Sequence, residues 1–479
     1  MRLPTHKTKI VCTIGPASRS EAVLEQLMLR GMNVARLNFA HGTQQGHRED
    51  IQRIRTVAAR LEHHCLIMAD LPGPKIRIGQ LLEEPLLLEK GDEAVLTVKD
   101  AASAPNHIPV AYKRLPESVT EGDVIFLNDG FIQLRVETVS GQDVFCRTVI
   151  GGPLLSHKGL SIPGVRIIAQ AVSETDLAFV DFALQEGVNA FGVSFVETAA
   201  DLLKVKEFAQ KRGHTAYVVA KIERAEAIEN IDGILGATDA IMIARGDMGV
   251  QIPLQDVPAV QKKLIRKANL LGRPVITATQ MLVSMTENIR PTRAEVSDVA
   301  NAILDGTDAV MLSEETAIGR YPAEAAEMLG KIAISTERDE KPFGRQADMP
   351  AYFRAAAGSG TATVEDVVTL NAVESADALD ARYILTRTQG RAAPCLISRF
   401  RPDCWILSHG GDEKTNNLLS LAYGVYPVTF DNAKGDLAGT AVRWLIETGL
   451  VAKDERLIWV EENAPDDGPE GLSMKIIEV

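Results

Sequence analysis

The feature that most limits how this chain can fold is a recurrence of short apolar, β-branched runs that do not alternate with polar residues. "KIVCTIG" (Lys9 to Gly15), "VARLNF" (Val34 to Phe39), "CLIMADL" (Cys65 to Leu71) and "AFGVSF" (Ala190 to Phe195) are followed by "YVVAKIE" (Tyr217 to Glu223), "AIMIARGD" (Ala240 to Asp247), "PVITATQ" (Pro274 to Gln280) and "AVMLSEE" (Ala309 to Glu315). Such runs belong to parallel strands covered on both faces, with the amphipathic segments between them serving as crossover helices. Eight units of this kind predict an α/β fold of the (β/α)8 TIM barrel type. The same periodicity permits an open doubly wound sheet, but the glycine-rich first turn that usually marks that fold is missing.

Most strand-to-strand spacings are 23 to 35 residues, yet the third and fourth runs lie more than a hundred apart. Between them the pattern changes to short alternating runs with Gly-Asp turns, as in "EGDVIFLNDGFIQLRVETVSGQDVFCRTV". This predicts an inserted small β-barrel lid domain over 71–167, dividing a TIM barrel into 1–70 and 168–340. Pro72-Gly73-Pro74 and Ile162-Pro163-Gly164 then read as hinges where the chain leaves the barrel and returns. After a Gly/Pro/Ala-rich passage, "ARYILTRTQG", "CWILSH", "VYPVTF", "RLIWVEE" and "MKIIEV" predict a C-terminal α/β domain over 341–479.

Bulk properties exclude several classes. A formal charge of -13 over 479 residues argues against nucleic acid as a partner, because counterion-release binding needs a basic face. Five scattered cysteines with no C-x-x-C pair indicate neither a disulfide framework nor a zinc site, and suit a reducing cytoplasm. No export or membrane signal is read from the sequence.

Barrel enzymes place their chemistry where strands end, so polar residues closing the apolar runs are the candidates. Arg36 and Asn38 close the second run, Asp70 the third, Lys221 and Glu223 the fifth, Thr279 the seventh and Glu315 the eighth, while Asp247 follows the sixth. Lys221 and Glu223, two apart on a strand, point to the same side. Alone they could be an ion pair on the barrel rim. Asp247 on the next loop adds a second carboxylate, and two carboxylates in oxygen-rich surroundings suit a hard cation such as Mg2+. Gly246 and Gly249 flank Asp247, which permits either a tight turn or backbone N–H groups facing an anion. With Arg36 and Thr279, these groups describe a site for a phosphorylated anion, where charge develops on a transferring phosphoryl group or an enolate.

The segments "TKIVCTIGPAS", "GMNVARLNFAHG", "KGLSIPG", "IARGDMGVQIP", "ITATQML" and "PTRAEVSDVANAILDGTDAVMLSEETAIGRYP" resemble the pyruvate kinase family over essentially the whole chain. The resemblance implies transfer of phosphate from phosphoenolpyruvate to ADP, giving pyruvate and ATP. It implies Mg2+ (with Mn2+ as an alternative) on Glu223 and Asp247, Lys221 stabilising the phosphoryl transition state and the enolate, and Arg36 on the substrate phosphate. Gly246 and Asp247 would offer N–H groups to the substrate carboxylate, and Thr279 would lie near the face where the enolate is protonated. Asn38, His41, Arg77 and Lys158 match nucleotide contacts. The resemblance also implies a cytoplasmic homotetramer, and leaves room for a sugar-phosphate or nucleotide effector at Thr386, Thr388, Gly390 and Arg391.

Departures from the family pattern carry their own expectation. K+-requiring members read "DTKGPEIR" and "NFSHG" where this chain has "DLPGPKIR" and "NFAHG". Leu71 and Ala40 lack the oxygens of two K+ ligands, and Lys75 replaces a glutamate. An ammonium placed beside Asp70 and Asn38 would supply the missing charge, so activity without K+ is expected. "SEET" in place of "SGET" sets Glu314 beside Glu315 without an obvious consequence. Two other classes are weighed against this reading: a metal-dependent 2-oxoacid lyase on a similar barrel, and an inactive metabolite sensor. The inserted domain and Lys221 argue against the first, and retention of Lys221, Glu223, Asp247 and Thr279 argues against the second.

Overall fold

The computed structural model describes residues 3–99, 104–128, 130–163, 171–339, 348–387, 392–410, 412–430, 437–462 and 471–479. The eight apolar runs form a closed barrel of parallel strands: Lys9–Ile14, Met32–Asn38, Leu66–Asp70, Ala190–Val193, Tyr217–Ile222, Ala240–Ala244, Val275–Ala278 and Ala309–Leu312. The eighth strand closes on the first, with Lys9 opposite Ala309 and Cys12 opposite Leu312.

Burial explains why these runs do not alternate. Val11, Val34, Met68, Val219, Met242, Ile276 and Met311 fill the interior of the barrel, while Ile10, Leu37, Ile67, Val218, Ile243 and Leu312 face the surrounding helices in a second core. Each strand therefore removes both faces from water, at roughly 1.5–3 kcal/mol per large side chain. Leu418 and Leu421 of the C-terminal region join the interior cluster.

Between the third and fourth barrel strands the chain builds a separate β unit. Its six-stranded sheet comprises Glu93–Thr97, His107–Pro109, Val124–Leu127, Ile132–Ser140, Asp143–Ile150 and Leu160–Ser161. Isolated bridges from Arg77 to Gly159 and from Ile78 to Val110 draw the two edges of that sheet together. The Gly-Asp turns hold because Asp92 and Asp123 accept hydrogen bonds from the backbone of Glu89 and Thr120, at 2.8 and 2.7 Å. The unit has its own core, including Ile78, Leu96, Ile108, Ile125, Leu134 and Val144.

Gly73 occupies the exit from the barrel with φ +63°, and a Cβ there would fall 2.9 Å from Ser194 Cβ and from the Phe195 ring. Its N–H donates to Asp176 Oδ1 at 3.1 Å. The other oxygen of Asp176 accepts from the backbone and hydroxyl of Ser173, at 2.8 and 2.6 Å, in the capping box that opens helix Glu174–Gln185. One buried carboxylate thus ties the departing chain to the helix that resumes the barrel. The divisions read at 167/168 and 340/341, and Gly164 of the second hinge, lie outside the described residues.

The C-terminal unit has a five-stranded sheet of Tyr383–Arg387, Trp405–His409, Val425–Pro427, Arg456–Glu462 and Leu472–Glu478, parallel except for the last strand. It meets the N-terminal end of the barrel through polar contacts. Lys9 Nζ donates to the Val425 carbonyl at 2.7 Å, and the Tyr423 N–H donates to Asp308 Oδ1 at 3.0 Å. No helix among the described residues is long and apolar enough to cross a membrane.

Candidate active site

Five of the strand-end residues converge at the C-terminal rim of the barrel. In-register pairing sets Asn38 opposite Asp70 on the second and third strands, and Gly192 of the fourth strand opposite Asp70 on its other side. The missing side chain at Gly192 leaves room for the Asp70 carboxylate, whose Cγ lies 3.3 Å from where a Cβ would be. Arg36 Nε donates to Asp70 Oδ2 at 2.5 Å, and its Nη1 donates to the Thr13 hydroxyl at 2.9 Å. Its remaining edge, Nη2, has no partner among the described residues.

Lys221 is the hub. Its ammonium donates to the Ser194 hydroxyl at 2.7 Å and lies 3.0 Å from Glu223 Oε1 and 3.2 Å from Asp70 Oδ1. Glu223 Oε2 accepts from the Phe195 N–H at 2.8 Å. The strand's alternation does what the sequence implied, bringing Lys221 and Glu223 to one site while Ile222 enters the outer core. Asp70 and Glu223 are each 1% exposed, so their charge states follow from what neighbours them.

For Asp70, burial favours the neutral acid, but the Arg36 guanidinium and the Lys221 ammonium outweigh it and hold the carboxyl below its usual range. Burial likewise opposes charge on Lys221, and Asp70 and Glu223 more than offset it, so its pKa is raised. Glu223 goes the other way: burial raises its pKa, Lys221 opposes, and the nearby negative charge of Asp247 adds to the rise. Each carboxylate of this pair has one ammonium beside it, Lys221 on Glu223 and Lys75 on Asp247, yet burial still holds Glu223 above its usual range.

Asp247 enters from helix Arg245–Gln251, which begins directly after the sixth strand. Gly246 in its first turn packs so closely that a Cβ would meet Thr279 Cγ2 at 2.7 Å. Thr279 itself has φ +74°, a conformation that a β-branched residue adopts only when its surroundings impose it. Arg245 imposes it here. Its Nε and Nη2 donate to the carbonyls of Ala278 and Thr279 at 3.1 and 2.8 Å, and Asp298 anchors the guanidinium at 2.7 Å.

Glu223 and Asp247 fit a hard divalent ion. Both offer oxygen, no histidine or thiolate accompanies them, and a cation would offset the burial and the Asp247 charge that together raise Glu223. Among the described residues no three His, Cys, Asp or Glu side chains gather as a metal site, so such an ion would take its other ligands from substrate and water.

The residues matched to the nucleotide form a second group. Arg77 donates to the His157 carbonyl at 3.0 Å, and the Lys158 carbonyl accepts from Ile78 at 3.0 Å, so both sit at the base of the inserted unit. The His41 imidazole has its pKa lowered by burial and by the charges of Arg77 and Arg36, which places it between the insert and the rim. Asn38 Oδ1 accepts from the Ala40 N–H at 3.1 Å.

Lys75 corrects the sequence expectation. Its ammonium is 2.8 Å from Asp247 Oδ1 and forms no ion pair with Asp70, whose carboxylate is already held by Arg36 and Lys221. Asp70 lies too deep and is too well neutralised to recruit a third cation, whereas Asp247 is 29% exposed and within reach of the hinge. Leu71 points into the core between strands and helices. Glu315 is not part of the cluster: its buried carboxylate accepts from the backbone of Leu282 and Ser313 at 3.0 and 2.7 Å, bracing loops. Of the effector-loop residues, Thr386 is buried with an unpartnered hydroxyl, and Thr388, Gly390 and Arg391 lie outside the described residues.

Sequence reasoning missed Ser194, Thr13 and Arg245. The first could have been found one residue past the fourth strand; the other two bind through partners that only the fold brings near.

Residues 5–326 match the pyruvate kinase barrel domain, and residues 366–468 match the pyruvate kinase alpha/beta domain. The chain belongs to the pyruvate kinase family. A pyruvate kinase of Thermococcus litoralis is 48% identical over 465 residues, covering 96% of each chain. One from Staphylococcus aureus is 40% identical over 456 residues, covering 94% of this chain and 77% of the relative. A crystal structure of a pyruvate kinase from Cryptosporidium parvum superposes with a TM-score of 0.88 at 32% identity, covering 99% of this chain and 96% of that one. The chain is thus a phosphotransferase of the pyruvate kinase family, whose substrates are phosphoenolpyruvate and ADP and whose products are pyruvate and ATP. Pyruvate kinases generally use Mg2+, in keeping with the oxygen donors at Glu223 and Asp247.

Proposed function

We propose that this enzyme transfers the phosphoryl group at the rim of its barrel with Mg2+, or Mn2+ in its place, on Glu223 and Asp247, and that it does so without K+. The observation that carries the reading is Lys221 at 3.0 Å from Glu223, with Asp247 close enough to raise the pKa of that carboxyl. When bound, the divalent ion neutralises charge on the phosphoryl and enolate oxygens.

The chain's own residues do the rest. Arg36, fixed by Asp70 and Thr13, presents Nη2 to the substrate phosphate. Lys221 keeps its proton across the physiological range and supplies a fixed positive charge opposite the transferring group. The N–H groups of Gly246 and Asp247, at the start of their helix, receive the substrate carboxylate. Thr279, locked in its strained backbone by Arg245, faces the enolate as the group that relays a proton to it. Asn38, His41, Arg77 and Lys158 hold the nucleotide where the insert (71–167) closes on the barrel (1–70 and 168–340).

K+ independence rests on charge. Ala40 has no side-chain oxygen, Leu71 is buried in the core, and the Lys75 ammonium already lies against Asp247. A fixed cation at the site does the electrostatic work of a bound monovalent ion without being lost to solvent. Family resemblance supports a homotetramer and an effector site in the 341–479 domain, where the buried hydroxyls of Thr386 and Ser408 lack partners. Glycolytic chemistry and five free cysteines fit the cytoplasm.

The test is a coupled assay of pyruvate formation from phosphoenolpyruvate, with and without ADP, in a tetramethylammonium buffer. We expect ADP-dependent product that vanishes on chelation of divalent ions and does not rise on adding K+. Pyruvate released without ADP would overturn phosphoryl transfer, and an absolute need for K+ would overturn the fixed-cation reading.

A further inference from the structure

The turn that ends the fourth barrel strand touches the charged groups of the rim on one side and the hinge of the insert on the other. Ser194, 2% exposed, follows directly on strand Ala190–Val193. Phe195 after it has φ +55°, a left-handed conformation that a bulky side chain adopts only where its surroundings hold it. On the rim side, the Phe195 N–H donates to Glu223 Oε2 at 2.8 Å, and the Ser194 hydroxyl lies 2.7 Å from the Lys221 ammonium. On the hinge side, a Cβ on Gly73 would stand 2.9 Å from Ser194 Cβ and from the Phe195 ring.

The direction of each hydrogen bond at Ser194 follows from donor chemistry. An ammonium has N–H donors and no acceptor, so Ser194 Oγ accepts from Lys221. The hydroxyl's own proton then goes to the Leu71 carbonyl at 2.7 Å, nearer than Asp70 Oδ1 at 3.4 Å. Leu71 is the first residue past the third strand, and its N–H donates to the Gly192 carbonyl at 2.9 Å. The residue that opens the insert is therefore pinned twice along the fourth strand, at Gly192 and at Ser194. Lys221 Nζ ends a flexible four-carbon stem, and it also meets Glu223 and Asp70, at 3.0 and 3.2 Å. Asp70 is shared with Arg36, and Glu223 is the carboxylate read as a metal ligand. Ser194 is the neutral anchor of the ammonium and its shortest contact.

We propose that Ser194 is a positioning residue for phosphoryl transfer: its hydroxyl aims the Lys221 ammonium, and makes that aim depend on where the hinge of the insert holds Leu71. Ser194 touches no reacting atom, and it matters in this way only if Lys221 is the fixed charge opposite the transferring group, the reading on which this assignment rests. Removing the hydroxyl leaves Lys221 charged and held by two carboxylates, so substrate and metal still bind while the ammonium loses its direction. The loss falls on rate, because the charge that Lys221 stabilises develops only as the transition state forms. A side chain at Gly73 would press on Ser194 Cβ, so a change at the hinge reaches the ammonium through the same hydroxyl.

The full-length enzyme is compared with Ser194→Ala, Lys221→Met, Gly73→Ala and the Ser194→Ala/Gly73→Ala double variant by steady-state kinetics and by Mn2+ titration followed by electron paramagnetic resonance. Misplacement of about 1 Å at a reacting group costs on the order of 10^2-fold in rate, so Ser194→Ala should lower kcat by at least about tenfold. KM for phosphoenolpyruvate and the affinity for Mn2+ should stay near native, since the Phe195 N–H still holds Glu223. Gly73→Ala should lower kcat in the native background and by a smaller factor when Ser194 is already Ala. Native kcat in Ser194→Ala beside a disabled Lys221→Met would overturn the proposal and leave the reading of Lys221 standing. Native kcat in Lys221→Met would overturn that reading, and the proposal with it. Mn2+ affinity falling in step with kcat in Ser194→Ala would mean that the turn merely came apart, and equal factors for Gly73→Ala in both backgrounds would mean that the hinge does not act through the hydroxyl; either result overturns the proposal.

Discussion

Two buried lysines sit at opposite ends of the same barrel, and their pKa values move in opposite directions. Lys221 at the rim is held by two carboxylates and a hydroxyl, and its pKa rises despite desolvation. Lys9 at the foot donates to one carbonyl, Val425 O, and lies 5.2 Å from the Trp405 ring, and desolvation pulls its pKa down to about 7. Asp308 and Glu337 raise the Lys9 pKa by less than burial lowers it; neither forms an ion pair with Lys9, and both accept backbone N–H groups, those of Val275 and Tyr423 on Asp308 and those of Lys7 and Thr8 on Glu337. Position in the fold does not set the charge; the placement of ionic partners does. The rim gathers charged groups of both signs within ion-pair distance of one another, whereas the foot spends its polar groups on joining two units.

The comparison breaks most visibly if Lys221 is dispensable. Lys221→Met should lower kcat by about 10^3-fold, the scale of losing a fixed charge aimed at the transition state. The loss should appear in kcat more than in KM, and a fall of less than tenfold would remove Lys221 from the chemistry. Glu223→Gln keeps the shape but removes one charge from the carboxylate pair, and should weaken divalent-ion binding by about 10^2-fold, scaled from the 10–100-fold losses typical of outer-shell changes. Mn2+ titration followed by electron paramagnetic resonance reads this without relying on turnover. Gly246→Ala pushes against Thr279 Cγ2, where a Cβ would stand 2.7 Å away. Misplacement of about 1 Å at a reacting group costs on the order of 10^2-fold in rate, so kcat should fall by that order while the unfolding temperature changes little. A variant with native kcat would show that the Thr279 conformation is not needed.

The barrel was legible because its strands are buried on both faces: Val34 fills the interior and Leu37 faces the helices, so neither can be polar. The pairing of Lys221 with Glu223 was equally legible, since strand alternation is local. What was not legible depends on where distant segments meet. Lys75 follows Pro72-Gly73-Pro74, and the direction the chain takes there decides whether it reaches Asp70 or Asp247; nothing in "DLPGPKIR" encodes that. Arg245 stands in the sequence as one more residue of "AIMIARGD", and its role comes from the carbonyls of Ala278 and Thr279 and from Asp298, 53 residues away. The edges of the insert close through isolated bridges at Arg77 and Ile78, which leave no periodic trace.

The smallest effect tests the foot of the barrel and turns on sign. Lys9 has a pKa near 10.5 when unfolded and about 7 when folded, so between those values the unfolded chain binds more protons and stability rises with pH. Below about pH 7 the protonated form carries a penalty on the order of 5 kcal/mol, which is absent above about pH 10.5. Lys9→Met removes the penalty and also the bond to Val425 O, itself worth about 1 kcal/mol. The variant should therefore melt a few degrees above the native enzyme near pH 6, with the difference closing and reversing as pH approaches 10. Lys221, whose pKa is raised, contributes stability that is fully present below its unfolded pKa and is lost only in strong alkali, so Lys221→Met should show no such crossing. Scanning fluorimetry of both variants across this range distinguishes the two lysines. Parallel curves for Lys9→Met and the native enzyme would mean that Lys9 stays charged at the foot, and the contrast between the two ends of the barrel would fail.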